Sequence, residues 1–126
     1  MSGESIFIVE DEGLIALHLF ELLEKAGYRI AGTAYSGEVA LRDLGKSPLP
    51  DLILMDIALA GVIDGIETAR RIRQQYDIPV IYLTAFSNPN RVEEAKEVSP
   101  YGYLMKPVMK DDLLDTIRRV LDSRSA

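Results

Sequence analysis

The stretch Leu52-Ile53-Leu54-Met55-Asp56 sets four apolar side chains in a row and closes them with a carboxylate. A run of that length without polar alternation suits a strand buried on both faces, and such strands belong to parallel sheets. The same grammar recurs along the chain. Ile6 to Val9 is followed by Glu10, Asp11 and Glu12. Val80 to Leu83, opened by Pro79, ends at Thr84, and Tyr101 to Met105 is closed by Lys106 and Pro107. Tyr28 to Ala34 reads as a fifth, weaker strand interrupted by Gly32.

Helical spacing fills the intervals. Ile15, Leu19, Leu22, Leu23 and Ala26 share one face of a helix that Gly27 stops. Ser36 caps a helix through Val39, Ala40 and Leu44, ending near Gly45 and Pro48. After a loop with Gly61, Asp64 and Gly65, a third helix carries Ile66, Ala69, Ile72 and Tyr76. Ser87 to Asn90 is turn chemistry, followed by a short helix with Val92, Ala95 and Val98. The last helix starts near Lys110 and buries Leu113, Leu114, Ile117 and Leu121. Strands alternating with helices, without a linker or repeat, predict a single domain over residues 1–126. Its class is α/β: a doubly wound, five-stranded parallel sheet with five helices and right-handed crossovers.

Composition narrows the function. A chain of 126 residues buries roughly two thirds of its unfolded surface and needs no covalent staple. The absence of cysteine removes thiolate zinc sites and thiol nucleophiles, and a single histidine, His18, removes a His-rich metal site. With 20 acidic against 14 basic residues the net charge is −6, so the segment offers no broad field for nucleic acid. The first residues lack the basic region of a signal peptide, and no apolar run could span a bilayer, which makes a cytoplasmic location the expectation.

In an open parallel sheet, ligands bind beyond the carboxyl ends of the strands. Those ends bring Glu10, Asp11 and Glu12, then Asp56, Thr84 and Lys106 to one edge. Clustered carboxylates raise one another's pKa, and a hard divalent cation such as Mg²⁺ relieves the conflict through oxygen ligands. Lys106 adds a point charge suited to a phosphoryl oxygen, and Thr84 a hydroxyl able to donate to one. The set reads as a site that holds a metal and receives a phosphoryl group on a carboxylate. Glu12 reads as a charge favouring the first helix's dipole. His18 reads as a surface residue, and Arg70, Arg71 and Arg73 as a solvated helix face.

Along essentially its whole length the chain resembles the receiver domain of two-component response regulators. The matching pieces are Val9-Glu10-Asp11-Glu12, Leu54-Met55-Asp56, Thr84-Ala85, and Tyr103 through Lys106-Pro107. The resemblance implies a flavodoxin-like fold of strand order 2-1-3-4-5 and phosphoryl transfer from a phosphohistidine to Asp56. The donor would be a sensor histidine kinase or a phosphotransfer protein. It further implies that Asp11 binds Mg²⁺ directly and Glu10 through water, with Asp56 and the backbone carbonyl of Ala58 as the other ligands. Lys106 would neutralise phosphoryl charge. Thr84 and Tyr103 would then carry the signal to the surface of the fourth helix, fifth strand and fifth helix. A cis Lys106–Pro107 bond is implied as well.

Some positions depart from the family pattern. Glu10 stands where aspartate is commoner. The loop Leu59-Ala60-Gly61-Val62-Ile63-Asp64-Gly65 is one residue longer than usual, with Ala60 where proline is frequent, a form similar to receivers associated with sensory histidine kinases. Ala58 and Phe86 occupy positions that tune phosphoryl lifetime in the family. Arg118 and Arg119 read as solvated, with a homodimer contact there as the alternative. A phosphohydrolase of the haloacid-dehalogenase type would want a second aspartate two residues after the nucleophile, where this chain has Ala58. A flavodoxin or nucleotide module would want a Gly- or Ser/Thr-rich phosphate loop, where this chain has Glu10-Asp11-Glu12. A degenerate receiver that binds partners without phosphorylation is disfavoured by the intact acid, Thr and Lys set. The output partner, and whether the segment stands alone or belongs to a longer regulator, are open at this level.

Overall fold

The computed structural model describes residues 3–46, 48–85, 93–94 and 101–125. Five strands, β1 (Ser5–Val9), β2 (Arg29–Ala34), β3 (Leu52–Asp56), β4 (Val80–Ala85) and β5 (Gly102–Lys106), form one sheet in the order β2-β1-β3-β4-β5. Every neighbouring pair is parallel. The described helices are α1 (Gly13–Lys25), α2 (Gly37–Leu44), α3 (Gly65–Gln75) and α4 (Lys110–Ser125). Five helices were expected. The one around Val92, Ala95 and Val98 lies outside the described residues except for Glu93 and Glu94, which are helical. Phe86 and the turn at Ser87 to Asn90 also lie outside them.

Alternation along the strands explains why the apolar runs are continuous. In β3, Ile53 and Met55 point into a core shared with α2 and α3, while Leu52 and Leu54 point into a second core shared with α1 and α4. Each face needs its own apolar set, so a central strand can spare no polar position. Burying each of these side chains contributes roughly 1.5–3 kcal/mol. The outer strands differ: β2 alternates exposed and half-buried residues, and β5 exposes Tyr103 and Met105 on either side of buried Leu104. An edge strand packs less completely, which is why β2 carries the weaker sequence signal. Gly32 has a specific role within it. A Cβ there would come within 2.8 Å of the Phe7 ring, next to a register shift between Ile6 and Phe7.

The helix faces follow the expected spacing with a few corrections. Leu19 and Leu23 are buried in α1 and Ile15 and Leu22 are partly buried, but Ala26 is the exposed C-cap, and Phe20 takes part in the packing instead. Ser36 caps α2, its side chain accepting from the Val39 amide at 3.2 Å. Tyr28 and Tyr101 sit just outside the strands assigned to them. Arg118, read as solvated, is tied down: it faces Glu4 and Asp122 and donates to the Tyr28 hydroxyl at 3.0 Å. Arg124 likewise donates to the Tyr101 hydroxyl at 2.8 Å and pairs with Asp77. Both links clamp α4 to the end of the sheet opposite the carboxylates.

The start of α3 packs closely against the end of β3. The Gly65 amide donates back to the Ile57 carbonyl at 2.9 Å, and a Cβ on Gly65 would run into the backbone carbonyl oxygen of Asp56. Asp64 caps α3 by accepting from the Glu67 amide at 2.8 Å. Gly65→Ala must therefore displace the start of α3 or the end of β3. A loss of about 3 kcal/mol in urea unfolding is expected, at the upper end for overpacking. An unchanged midpoint would mean that the turn yields freely.

Candidate phosphoacceptor site

Parallel strands place their carboxyl ends on one edge of the sheet. The chain turns outward from β1 to β2 on one side and from β3 onward on the other, so the switch point lies between β1 and β3. Glu10 and Asp11 follow β1, and Asp56 is the last residue of β3. Oxygens from Glu10, Asp11 and Asp56 lie within 4.8 Å of one another. Glu10 and Asp56 are buried, at 3% and 2% exposure, while Asp11 is partly open to solvent.

Lys106, brought across from the end of β5, completes the cluster. Its Nζ is 3.0 Å from Asp56 Oδ2 and 3.0 Å from Glu10 Oε1. The contact with Asp56 is a hydrogen bond. Glu10 Oε1 has ion-pair proximity without hydrogen-bond alignment and is a buried oxygen lacking a partner of that kind. The remaining carboxylate oxygens are held by backbone amides. Ala58 donates to Asp56 Oδ1 at 3.0 Å, Glu12 to Glu10 Oε2 at 3.2 Å, and Ala60 to Asp11 Oδ2 at 3.1 Å. Glu12 itself is the N-cap residue of α1 and makes no side-chain cap.

Burial, together with the close approach and repulsion of Asp56, pushes Glu10 up to about 7 against the opposing pull of Lys106. Burial alone would lower the Lys106 ammonium, but Asp56 and Glu10 together outweigh it and hold the pKa above its ordinary value. With all groups ionised, three carboxylates against one ammonium leave an excess of two negative charges. An all-oxygen donor set, an excess of negative charge and an unaligned buried oxygen together fit a hard divalent cation such as Mg²⁺.

Other expected residues lie outside this cluster. Thr84 is buried near the end of β4, and its hydroxyl donates to the Ala85 carbonyl at 3.1 Å rather than to a carboxylate. Tyr103 on β5 lies in register with Tyr82 on β4 and is 39% exposed. Lys106–Pro107 is cis. The Glu10–Lys106 contact and the Ala60–Asp11 bond were not read from the sequence. Both join residues about fifty to a hundred positions apart, and neither leaves a local motif.

The sequence profile of the response regulator receiver domain matches residues 6–118. The chain belongs to the response regulator receiver domain family. This receiver is 33% identical to sporulation initiation phosphotransferase F of Bacillus subtilis, with 99% of each chain covered. It is 38% identical over 112 residues to the transcriptional regulatory protein PdtaR of Mycobacterium tuberculosis, covering 89% of this chain but 54% of that protein. The receiver thus spans about half the length of PdtaR. Among solved structures, the signal receiver domain of a modulated diguanylate cyclase from Desulfovibrio desulfuricans superimposes with a TM-score of 0.89 at 37% identity, covering 98% of this chain and 97% of that one. Those likenesses accord with a signalling phosphoacceptor, and receivers work with histidine kinases or phosphotransfer proteins. Among the described residues no helix is long and apolar enough to cross a membrane.

The raised pKa of Glu10 has a measurable consequence in the metal-free receiver. Between about 4.5 and about 7 the folded state binds more protons at Glu10 than the unfolded state does. Stability contributed by that proton is therefore complete at the acid end of the window and is lost as pH rises through it. Glu10→Gln, which cannot ionise, is expected to gain on the order of 1 kcal/mol over wild type at pH 7.5 in chelator, allowing for screening by water, and nothing near pH 4.5. Urea unfolding at the two pH values checks this; parallel curves for the two proteins would refute it.

Proposed function

We propose that this receiver accepts a phosphoryl group on Asp56 from the phosphohistidine of a sensor histidine kinase or phosphotransfer protein, and that the modification switches the surface around β5. One observation carries the reading: the Asp56 carboxylate stands in a cluster with Glu10 and Asp11 while Lys106 Nζ lies 3.0 Å away. An Asp56 oxygen forms the O–P bond as the N–P bond of the donor breaks, and the electron pair returns to the imidazole, which takes up a proton. Lys106 is within reach of a phosphoryl group on Asp56 and neutralises charge on its oxygens. The Ala58 amide, already donating to Asp56 Oδ1, orients the nucleophile. Asp11, Asp56 and the backbone carbonyl of Ala58, with Glu10 through water, would hold Mg²⁺, which would supply the further positive charge that transfer between anionic groups requires.

The donor needs access to this edge. A cleft of about 390 Å³ runs beside Glu10 and Asp11 and is lined by Ala16, Leu17 and Phe20 of α1 and by Tyr35 after β2. Leu14, Leu17 and Tyr35 are large apolar side chains left exposed, as a protein-docking rim requires. After transfer, Thr84 gives up its bond to the Ala85 carbonyl to meet the phosphoryl group, and Tyr103 moves inward from its half-exposed position. Such a switch works only as far as the phosphoryl group favours one arrangement over the other. The net charge of −6 supports a protein effector over direct nucleic-acid binding by this segment, and a cytoplasmic setting suits the proposed donors.

Beryllofluoride with Mg²⁺, followed by amide NMR shifts, tests the reading. Shifts reaching Thr84 and Tyr103 are expected in the wild type and absent in Asp56→Asn, which also takes up no phosphoryl group from acetyl phosphate. Lys106→Ala is expected to fold and bind Mg²⁺ but lose the shifts at Thr84 and Tyr103. A silent wild type would identify a degenerate receiver, and robust labelling of Asp56→Asn would place the acceptor elsewhere.

A further inference from the structure

The loop after β3 runs from Ile57 to Asp64 before α3 begins. Its two flanks are anchored conventionally: Leu59 and Ile63 are buried, and the Ile57 amide donates to the Leu83 carbonyl at 3.0 Å. The apex residues Ala60, Gly61 and Val62 are exposed, and the Val62 side chain is 92% exposed, so apolar packing holds none of them. Two carboxylates from elsewhere in the fold receive the apex amides. The Ala60 amide donates to Asp11 Oδ2 at 3.1 Å, and the Val62 amide donates to Glu38 Oε2 at 2.9 Å. Gly61 stands between them at φ +113°, and a Cβ there would come within 3.0 Å of Glu38 Oε1. The Glu38 carboxylate therefore lies directly against the apex. It is held below its ordinary pKa by its own backbone amide and then by those of Val62 and Ile63.

We propose that Glu38, in the first turn of α2, is a positioning residue for Asp11, fixing the loop so that the Ala60 amide holds one Asp11 oxygen and leaves the other for the cation. The inference rests on the reading of Asp11 as a metal ligand. Its physical basis is that a ligating carboxylate is oriented by the hydrogen bonds it receives, and losing such an outer contact typically costs 10–100-fold in metal affinity. Glu38 acts one contact further out, through the three residues Ala60 to Val62, so a smaller effect follows. The contact suits this loop: an apex that carries a glycine at positive φ and no buried side chain needs an external acceptor to settle on one conformation.

A Mg²⁺ titration of wild type, Glu38→Ala and Glu38→Gln, read by amide NMR together with hydrogen exchange at Ala60 and Val62, tests the proposal. Glu38→Ala is expected to weaken Mg²⁺ binding about 5-fold and to speed exchange at both amides. Its maximal rate of phosphorylation by acetyl phosphate at saturating Mg²⁺ should match wild type. Glu38→Gln keeps an oxygen for the Val62 amide and should bind Mg²⁺ within about 2-fold of wild type. Unchanged affinity in Glu38→Ala would overturn the proposal. Equal losses in the two variants would overturn it as well, by showing that the removed charge and not the contact matters. A wild type that fails to bind Mg²⁺ would instead sink the metal-site reading beneath it.

Discussion

A single ammonium, Lys106, stands between two buried carboxylates contributed by different strands, and the arrangement at the carboxyl edge depends on it. Glu10 and Asp56 are almost fully removed from water, where an isolated ionised carboxylate is strongly disfavoured. Each lies 3.0 Å from the same Nζ. Burial and the nearness of Asp56 outweigh the pull of that one cation on Glu10, whose pKa is raised. The metal-free site is thus frustrated by construction. Its relief requires either a proton or a cation.

Such a cluster persists only because the remainder of the fold is rigid around it. The two cores on either side of the sheet lock β1 and β3 through alternating side chains, so the strand ends cannot splay to separate the acids. Gly65 lets α3 begin directly against the backbone of Asp56 and Ile57. Ala58, Glu12 and Ala60 each direct an amide at a carboxylate oxygen, which offsets part of the desolvation without adding charge. At the other end of the sheet, Arg118 and Arg124 bind α4 through tyrosine hydroxyls. One end of the sheet therefore crowds carboxylates around a single ammonium, and the other pairs arginines with acids and tyrosine hydroxyls.

Much of this was legible in the sequence because the central strands leave no choice. Four consecutive apolar residues at Leu52 to Met55 can satisfy two cores only as a central strand, and Asp56 must then emerge at its end. The same reasoning located Glu10, Asp11, Thr84 and Lys106, since residues that close strands in a parallel sheet share an edge by topology. The edge strands were read less well. The alternating burial of β2 and β5 blurs the pattern, and Gly32 weakens β2 locally for the sake of the Phe7 ring.

The sequence by itself determined which residues gather at the carboxyl edge, because hydrophobic period is a local property and parallel strands share that edge by topology. Only the tertiary structure decided how those residues share protons and hydrogen bonds. The pairing of Glu10 with Lys106, the Asp11–Ala60 bond, the grip of Glu38 on Val62 and the capture of Arg118 by Glu4 and Tyr28 depend on distances of a few ångströms between distant segments. Ion pairs and hydrogen bonds are short-ranged and directional, and sequence spacing carries neither the distance nor the angle.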